Sequence, residues 1–180
     1  MIKAAFCDDD LSVLNELHVL MDNYRVERNQ EITYTAFHSP LELIAQIEKG
    51  MRFDILFLDV LMPGVNGIET AQEIREYDSA MKIIFLTSSA EYAVESYTVN
   101  AYFYQLKPIW PESFYRLMDS VLKECAQEQR RSLILRCKSG ITQISLDRLM
   151  YCEVQGRTLV FHMQNNELLE SVGSMDDLSG

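Results

Sequence analysis

Five short apolar runs punctuate the first part of the chain: IKAAFC (2–7), EITYTAF (31–37), DILFL (54–58), KIIFL (82–86) and AYFYQL (101–106). Between the first two, Leu11, Leu14, Leu17, Val19, Leu20 and Tyr24 recur at roughly helical spacing. Ser39-Pro40-Leu41-Glu42 has the form of a helix start, with a capping hydroxyl, a proline in the first turn and a glutamate three residues on. Asn66 opens a further helical pattern carrying Ile68, Ala71, Ile74 and Tyr77, and Pro111 opens another with Phe114, Leu117, Met118, Val121 and Leu122. The pattern predicts five strands alternating with five helices over about 125 residues, an α/β fold built on a doubly wound five-stranded parallel sheet.

Polar residues interrupt this pattern at particular places. Asp8 and Asp9 follow the first apolar run, Asp59 the third, Thr87 the fourth and Lys107 the fifth. In an open α/β sheet the carboxyl ends of the strands converge on a crevice at the topological switch point, so these side chains are expected in one place. A buried carboxylate is costly unless its charge is compensated, and three together repel. A hard divalent cation with oxygen ligands and retained waters joins them, and Mg²⁺ is the expected ion. Asp10 reads differently, as the cap of the first helix.

Asp59 ends the run of Ile55, Leu56, Phe57 and Leu58, and the turn at Met62-Pro63-Gly64 turns the chain away after it. A carboxylate so placed can act as a nucleophile and take a phosphoryl group as an aspartyl phosphate. That transfer needs charge neutralisation and alignment more than acid–base help. Lys107 supplies a neutralising ammonium, and the Thr87 hydroxyl can swing to bond a phosphoryl oxygen.

Composition and charge narrow the setting. The chain has 180 residues, 48% of them hydrophobic, which suits one ordinary domain and something smaller. Net charge is −11. Residues 1–123 hold 10 Lys and Arg against 19 Asp and Glu, and the remainder 6 against 8. Neither part has the basic excess of a free-standing nucleic-acid binder. Three acids at positions 8–10 break any signal-peptide core, and no apolar run approaches the roughly 18 residues of a membrane span. Cys7, Cys125, Cys137 and Cys152 lack ligand spacing and read as reduced thiols, so a cytoplasmic protein is expected.

The segments CDDD (7–10), LDVLMPGVNGIE (58–69), FLTSSAEYA (85–93) and FYQLKP (103–108) together resemble the receiver domain of bacterial two-component response regulators. The resemblance covers residues 1–123 and implies a flavodoxin-like fold. It implies that Asp59 is the phosphoacceptor, that Asp9 binds Mg²⁺ directly and Asp8 largely through water, and that the Leu61 backbone carbonyl completes the protein ligands. Thr87 and Tyr104 match the switch hydroxyl and switch aromatic, and Lys107 the lysine of such domains, with a cis bond to Pro108. It further implies a sensor histidine kinase as phosphodonor and a homodimer formed through the face at residues 90–123, where Tyr92, Tyr97 and Tyr102 lie.

After a charged linker, 124–131, the pattern changes to short strands: LILRCK (133–138), ITQISL (141–146), LMYCEV (149–154) and TLVFHM (158–163). Residues 132–180 resemble the first half of a LytTR-type DNA-binding domain, a small all-β segment that is expected to be cut short after a helix begins at 174–178. By that resemblance Arg157 falls in a loop that contacts DNA; otherwise it is a hairpin arginine without a partner. Promoter DNA is the expected target of the complete regulator, while one loop arginine is too little for specific binding by this chain alone. The rival reading is a receiver that serves as a phosphate sink or interaction module. Turnover of an external phosphoester is not expected, because phosphohydrolases of the haloacid-dehalogenase type need a second aspartate where this chain has Leu61.

Overall fold

The computed structural model describes residues 1–130 and, after them, the strand segments 132–137, 140–145, 149–155, 158–163 and 168–172, with side chains described through residue 129. Arg157 and the expected helix at 174–178 lie outside the described residues. The chain forms two compact units, Met1–Val121 and Leu122–Gly180.

In the first unit the chain runs β1 (Ile2–Cys7), α1 (Leu11–Glu27), β2 (Ile32–Phe37), α2 (Pro40–Glu48) and β3 (Ile55–Leu58). A small ribbon, β4 (Leu61–Met62) with β5 (Val65–Asn66), leads into α3 (Gly67–Tyr77). Then come β6 (Lys82–Thr87), a 3₁₀ turn (Glu95–Val99), β7 (Phe103–Leu106) and α4 (Pro111–Arg130). The five long strands are parallel and ordered β2-β1-β3-β6-β7, the doubly wound sheet expected from the sequence.

The apolar runs are continuous because the central strands are buried on both faces. Towards one face, Ala5, Cys7, Leu56, Leu58, Ile83 and Phe85 pack with Leu43, Ile44 and Ile47 of α2 and with Ile68, Ala71 and Ile74 of α3. On the other, alternate residues meet α1 and α4 through rings. Phe57 stacks on Phe114 at 5.7 Å between centroids, Phe6 meets Phe57 edge-on at 5.7 Å, and Tyr24 meets Phe114 at 6.2 Å. Three helices start where short polar side chains accept an otherwise orphaned backbone N–H: Asp10 from Ser12, Ser39 from Leu41 and Asn66 from Ile68.

Two details differ from the sequence expectation. The fifth helix, due between β6 and β7, is a 3₁₀ turn. The Ser96 hydroxyl donates to the Ala93 carbonyl and the Thr98 hydroxyl to that of Glu95, and such local bonds compete with an α-helical ladder. Asn100, with φ of 53°, then ends the turn in the left-handed region. Among the described residues the second unit has one more strand than expected. Its antiparallel sheet is ordered β10-β11-β12-β8-β9, from β8 (Ser132–Cys137), β9 (Gly140–Ser145), β10 (Leu149–Gln155), β11 (Thr158–Met163) and the unanticipated β12 (Leu168–Val172). The run LLESV carries two charge-bearing or polar residues in five, too weak an alternation to stand out.

Phe114 is fully buried and joins α4 to the sheet through Phe57 and to α1 through Tyr24. Phe114→Ala is expected to lower the unfolding free energy of the first unit by about 3–5 kcal/mol. Urea titration followed by far-ultraviolet circular dichroism measures this, and a loss below about 1 kcal/mol would mean that the ring stack does not carry the α4 contact.

Candidate functional site

The sheet's own hydrogen bonding carries the polar side chains to its rim. The ladder continues one residue past three strands: Asp8 N–H donates to the Phe37 carbonyl at 3.1 Å, Asp59 N–H to that of Cys7 at 3.1 Å, and Lys107 N–H to that of Thr87 at 2.8 Å. Backbone register therefore fixes Asp8, Asp59 and Lys107 directly after β1, β3 and β7. The strand order reverses direction between β1 and β3, so Asp8 and Asp59 flank the switch point. Thr87 is the last residue of β6 and is fully buried.

These side chains meet. Lys107 Nζ donates to Asp8 Oδ2 at 2.8 Å and to Asp59 Oδ2 at 3.2 Å. Asp8 is 2% and Asp59 5% exposed, so the pair is shielded from bulk water. Oxygens of Asp8, Asp9 and Asp59 all lie within 4.8 Å of one another, with Asp9 at the exposed side. The backbone helps: Asp10 N–H donates to Asp8 Oδ1 at 2.9 Å and Leu61 N–H to Asp59 Oδ1 at 3.1 Å. Asp10 itself turns away and caps α1, receiving both the N–H and the hydroxyl of Ser12.

Protonation equilibria follow this arrangement. Burial raises the Asp8 carboxyl above its ordinary range, and the hydrogen bond from Lys107 opposes that only in part. Burial pulls the Lys107 ammonium down, but its hydrogen bond to Asp8 and the charges of Asp59 and Asp8 outweigh this and hold it above its usual value. Cys7, beside the acids, is pushed up to about 12 by burial and then by the charges of Asp8 and Asp59. Its thiol stays protonated and unreactive.

Thr87 Oγ1 receives the Ser89 N–H at 3.4 Å, a long bond that is readily exchanged. The Tyr104 hydroxyl donates to the Ser89 carbonyl at 2.5 Å, and its half-buried ring packs 6.0 Å from Phe85. The Tyr104 ring thus has apolar cover and its hydroxyl a partner. The Lys107–Pro108 bond is cis, as the resemblance implied. Of the three tyrosines expected on the 90–123 face, Tyr97 is exposed, Tyr92 packs partly against the core and Tyr102 pairs with Ser120.

Two residues escaped the sequence reading. Gly67 opens α3 against the Asp59 backbone: its N–H donates to the Val60 carbonyl at 2.8 Å, and a Cβ there would lie 2.7 Å from Val60 Cα and closer still to the Asp59 carbonyl oxygen. Only glycine lets α3 start so near Asp59. Gly64, with φ of 72° after Pro63, gives the turn between β4 and β5 the left-handed residue it needs. The second missed residue is Ser89, whose peptide joins Thr87 to Tyr104. A glycine three residues after the Pro63-Gly64 turn was the available signal for Gly67; nothing in the sequence marked Ser89.

Residues 5–119 match the family model of the response regulator receiver domain. The chain is 30% identical to the sensory transduction protein LytT of Oceanobacillus iheyensis over 132 residues, 69% of this chain and 54% of LytT. It is 27% identical to the accessory gene regulator protein A of Staphylococcus epidermidis, over 99% of this chain and 80% of that protein. The chain thus spans about half the length of LytT. The response regulatory domain of protein mrkE from Klebsiella pneumoniae has the same fold, with a TM-score of 0.63 at 23% identity, over 70% of this chain and 99% of that one.

Three carboxylates share one ammonium, so their mutual repulsion opposes folding and a bound cation would relieve it. Asp8→Asn is expected to raise the melting temperature in chelator and to shrink the rise that Mg²⁺ produces. At a tenfold excess over its Kd, Mg²⁺ should add about 1.4 kcal/mol to the unmutated chain, which corresponds to about 3–6 °C. Thermal melts with EDTA and with Mg²⁺ measure both; a variant that melts lower in EDTA, or an unmutated chain indifferent to Mg²⁺, would contradict this account.

Proposed function

The chain belongs to the response regulator receiver family, and from that premise we propose that it takes a phosphoryl group on Asp59 from a sensor histidine kinase and converts it into dimerisation and transcriptional output. The supporting observation is the Lys107 ammonium held between the buried carboxylates of Asp8 and Asp59. In this reading residues 1–123 are the receiver, 124–131 a linker and 132–180 part of a LytTR-type β domain. The antiparallel second unit supports the last assignment, as does the alignment with accessory gene regulator protein A along nearly the whole chain.

A carboxylate oxygen of Asp59 attacks phosphorus; the new P–O bond forms as the bond to the donor's imidazole nitrogen breaks, and the electron pair leaves with that nitrogen. Asp8, Asp9, Asp59 and the Leu61 carbonyl would hold Mg²⁺, which when bound neutralises phosphoryl oxygens. Lys107 neutralises another and keeps Asp59 in place before transfer. Leu61 occupies the position where a phosphohydrolase would have its acid–base aspartate, which supports an acceptor that is labelled once over a catalyst that turns over.

The phosphoryl group adds about −1.5 to −2 charges at neutral pH. The Thr87 hydroxyl gives up its long bond from Ser89 and donates to a phosphoryl oxygen, drawing Ser88 and Ser89 inward. Tyr104 holds the Ser89 carbonyl beside this movement, and the event shifts an existing equilibrium. Val94, at 79% exposure, and Tyr97, at 82%, lie on the segment that follows, which supports a homodimer formed there.

Acetyl phosphate with Mg²⁺ is expected to add one phosphoryl group to the chain and none to Asp59→Asn, with Asp9→Asn labelled slowly unless Mg²⁺ is raised. Intact-mass spectrometry reads this directly, and undiminished labelling of Asp59→Asn would refute the acceptor. Sedimentation velocity tests the output: beryllofluoride with Mg²⁺ should shift the unmutated chain towards dimer and leave Asp59→Asn unchanged. Equal association with and without beryllofluoride would remove dimerisation from the reading.

A further inference from the structure

The segment 88–100 leaves the sheet at Thr87 and returns to it at β7, and its two ends are held in different ways. The β6 end is tied by exchangeable bonds, the 3.4 Å bond from Ser89 N–H to Thr87 Oγ1 and the Tyr104 hydroxyl on the Ser89 carbonyl. The β7 end is gripped by Arg75 of α3. Its Nε donates to the Val99 carbonyl at 2.8 Å, its Nη2 to the Asn100 carbonyl at 3.0 Å and its Nη1 to the carbonyl of Asp78, the C-cap of α3, at 3.2 Å. One half-buried guanidinium thus satisfies carbonyls at the ends of two helical elements, where acceptors lack partners and a positive charge is favoured. A planar fork of donors holds three acceptors in a fixed arrangement that a flexible ammonium cannot reproduce.

We infer that Arg75 is the pivot of the 88–100 segment, a positioning residue that holds Val99 and Asn100 on α3 while the Thr87 end moves. The inference rests on the Thr87 movement proposed above and adds what stays still. Between the two ends lies a 3₁₀ turn supported by the Ser96 and Thr98 hydroxyls and not by an α-helical ladder. A pull on a turn of this kind with a loose far end spreads along it as fraying. With the far end clamped, the same pull turns the intervening residues about Asn100, whose φ of 53° already reverses the chain. The residues that swing furthest are then those between the ends, among them the exposed Val94 and Tyr97.

Hydrogen exchange on the 180-residue chain, with and without beryllofluoride and Mg²⁺, tests this on the unmutated protein, Arg75→Lys and Arg75→Met. Labelling of Asp59 by acetyl phosphate is followed in parallel. In the unmutated chain beryllofluoride is expected to change exchange within 88–98 and to leave the amides of Val99, Asn100 and Ala101 unaffected. Both variants should still be labelled, with the response running on through residues 99–101, less far in Arg75→Lys than in Arg75→Met. A purely structural arginine would lower the melting temperature and keep the unmutated exchange boundary, and that result overturns the pivot. Should Arg75→Met fail to fold, Arg75→Lys decides on the same criterion. An unmutated chain that is labelled but shows no response in 88–98 overturns the Thr87 movement and the pivot with it, whereas a response in 88–98 with an unshifted boundary in the variants overturns the pivot alone.

Discussion

Lys107 is the counter-charge on which the rim of the sheet depends. Two carboxylates as close as those of Asp8 and Asp59, within 4.8 Å, repel by about 3 kcal/mol or more at an effective dielectric constant of about 20. The ammonium donates to both and brings the three-group charge from −2 to −1. Asp9 adds a further negative charge at the exposed side. The sheet tolerates this because the strands beneath are packed on both faces. A fold with so complete a core can carry a local electrostatic penalty, and the unmet negative charge is what would draw a cation to the site.

The penalty is concentrated by backbone register. A parallel ladder cannot end at different heights on neighbouring strands without leaving N–H groups unpaired. Here the groups beyond β1, β3 and β7 are paired, and the paired residues are Asp8, Asp59 and Lys107. Their backbone positions are thereby set by the ladder itself. Gly67 completes the constraint from the other side, since α3 can begin hard against the Asp59 carbonyl only without a Cβ. Asp59 is held by the strand before it and by the helix after it.

Much of this was legible in the sequence because burial on both faces writes itself as unbroken apolar runs, and each run ended at a chemically distinctive residue. The parallel sheet, three helix caps and the meeting of Asp8, Asp9, Asp59 and Lys107 follow from that pattern. The 3₁₀ turn was not legible, since Ser96 and Thr98 look like ordinary helix-surface residues until their hydroxyls are seen to bond nearby carbonyls. Ser89 acts through its peptide group, which every residue possesses, so no side-chain pattern could single it out. The proposed role of Arg75 depends on α3 meeting the end of the 3₁₀ turn at Asn100, a contact between residues 25 positions apart that the sequence does not mark. Tertiary partnership, not residue type, separated what could be read from what could not.

The placement of Tyr104 against Phe85 bears on how the proposed signal is transmitted. A switch in which the aromatic ring must first find its cavity includes the cost of ordering that side chain in each activation event. Here the ring already rests near Phe85 and its hydroxyl already holds Ser89. What is left to change is the Thr87 hydroxyl, which trades one long bond for a charge-assisted one, and charge-assisted bonds are roughly twice as strong as neutral ones. The gain from a single such exchange is modest, so it can move only an equilibrium whose two states are already close in free energy. In the proposed switch this exchange ties the response of the 88–100 segment to the phosphoryl group through Thr87, while Arg75 holds the far end.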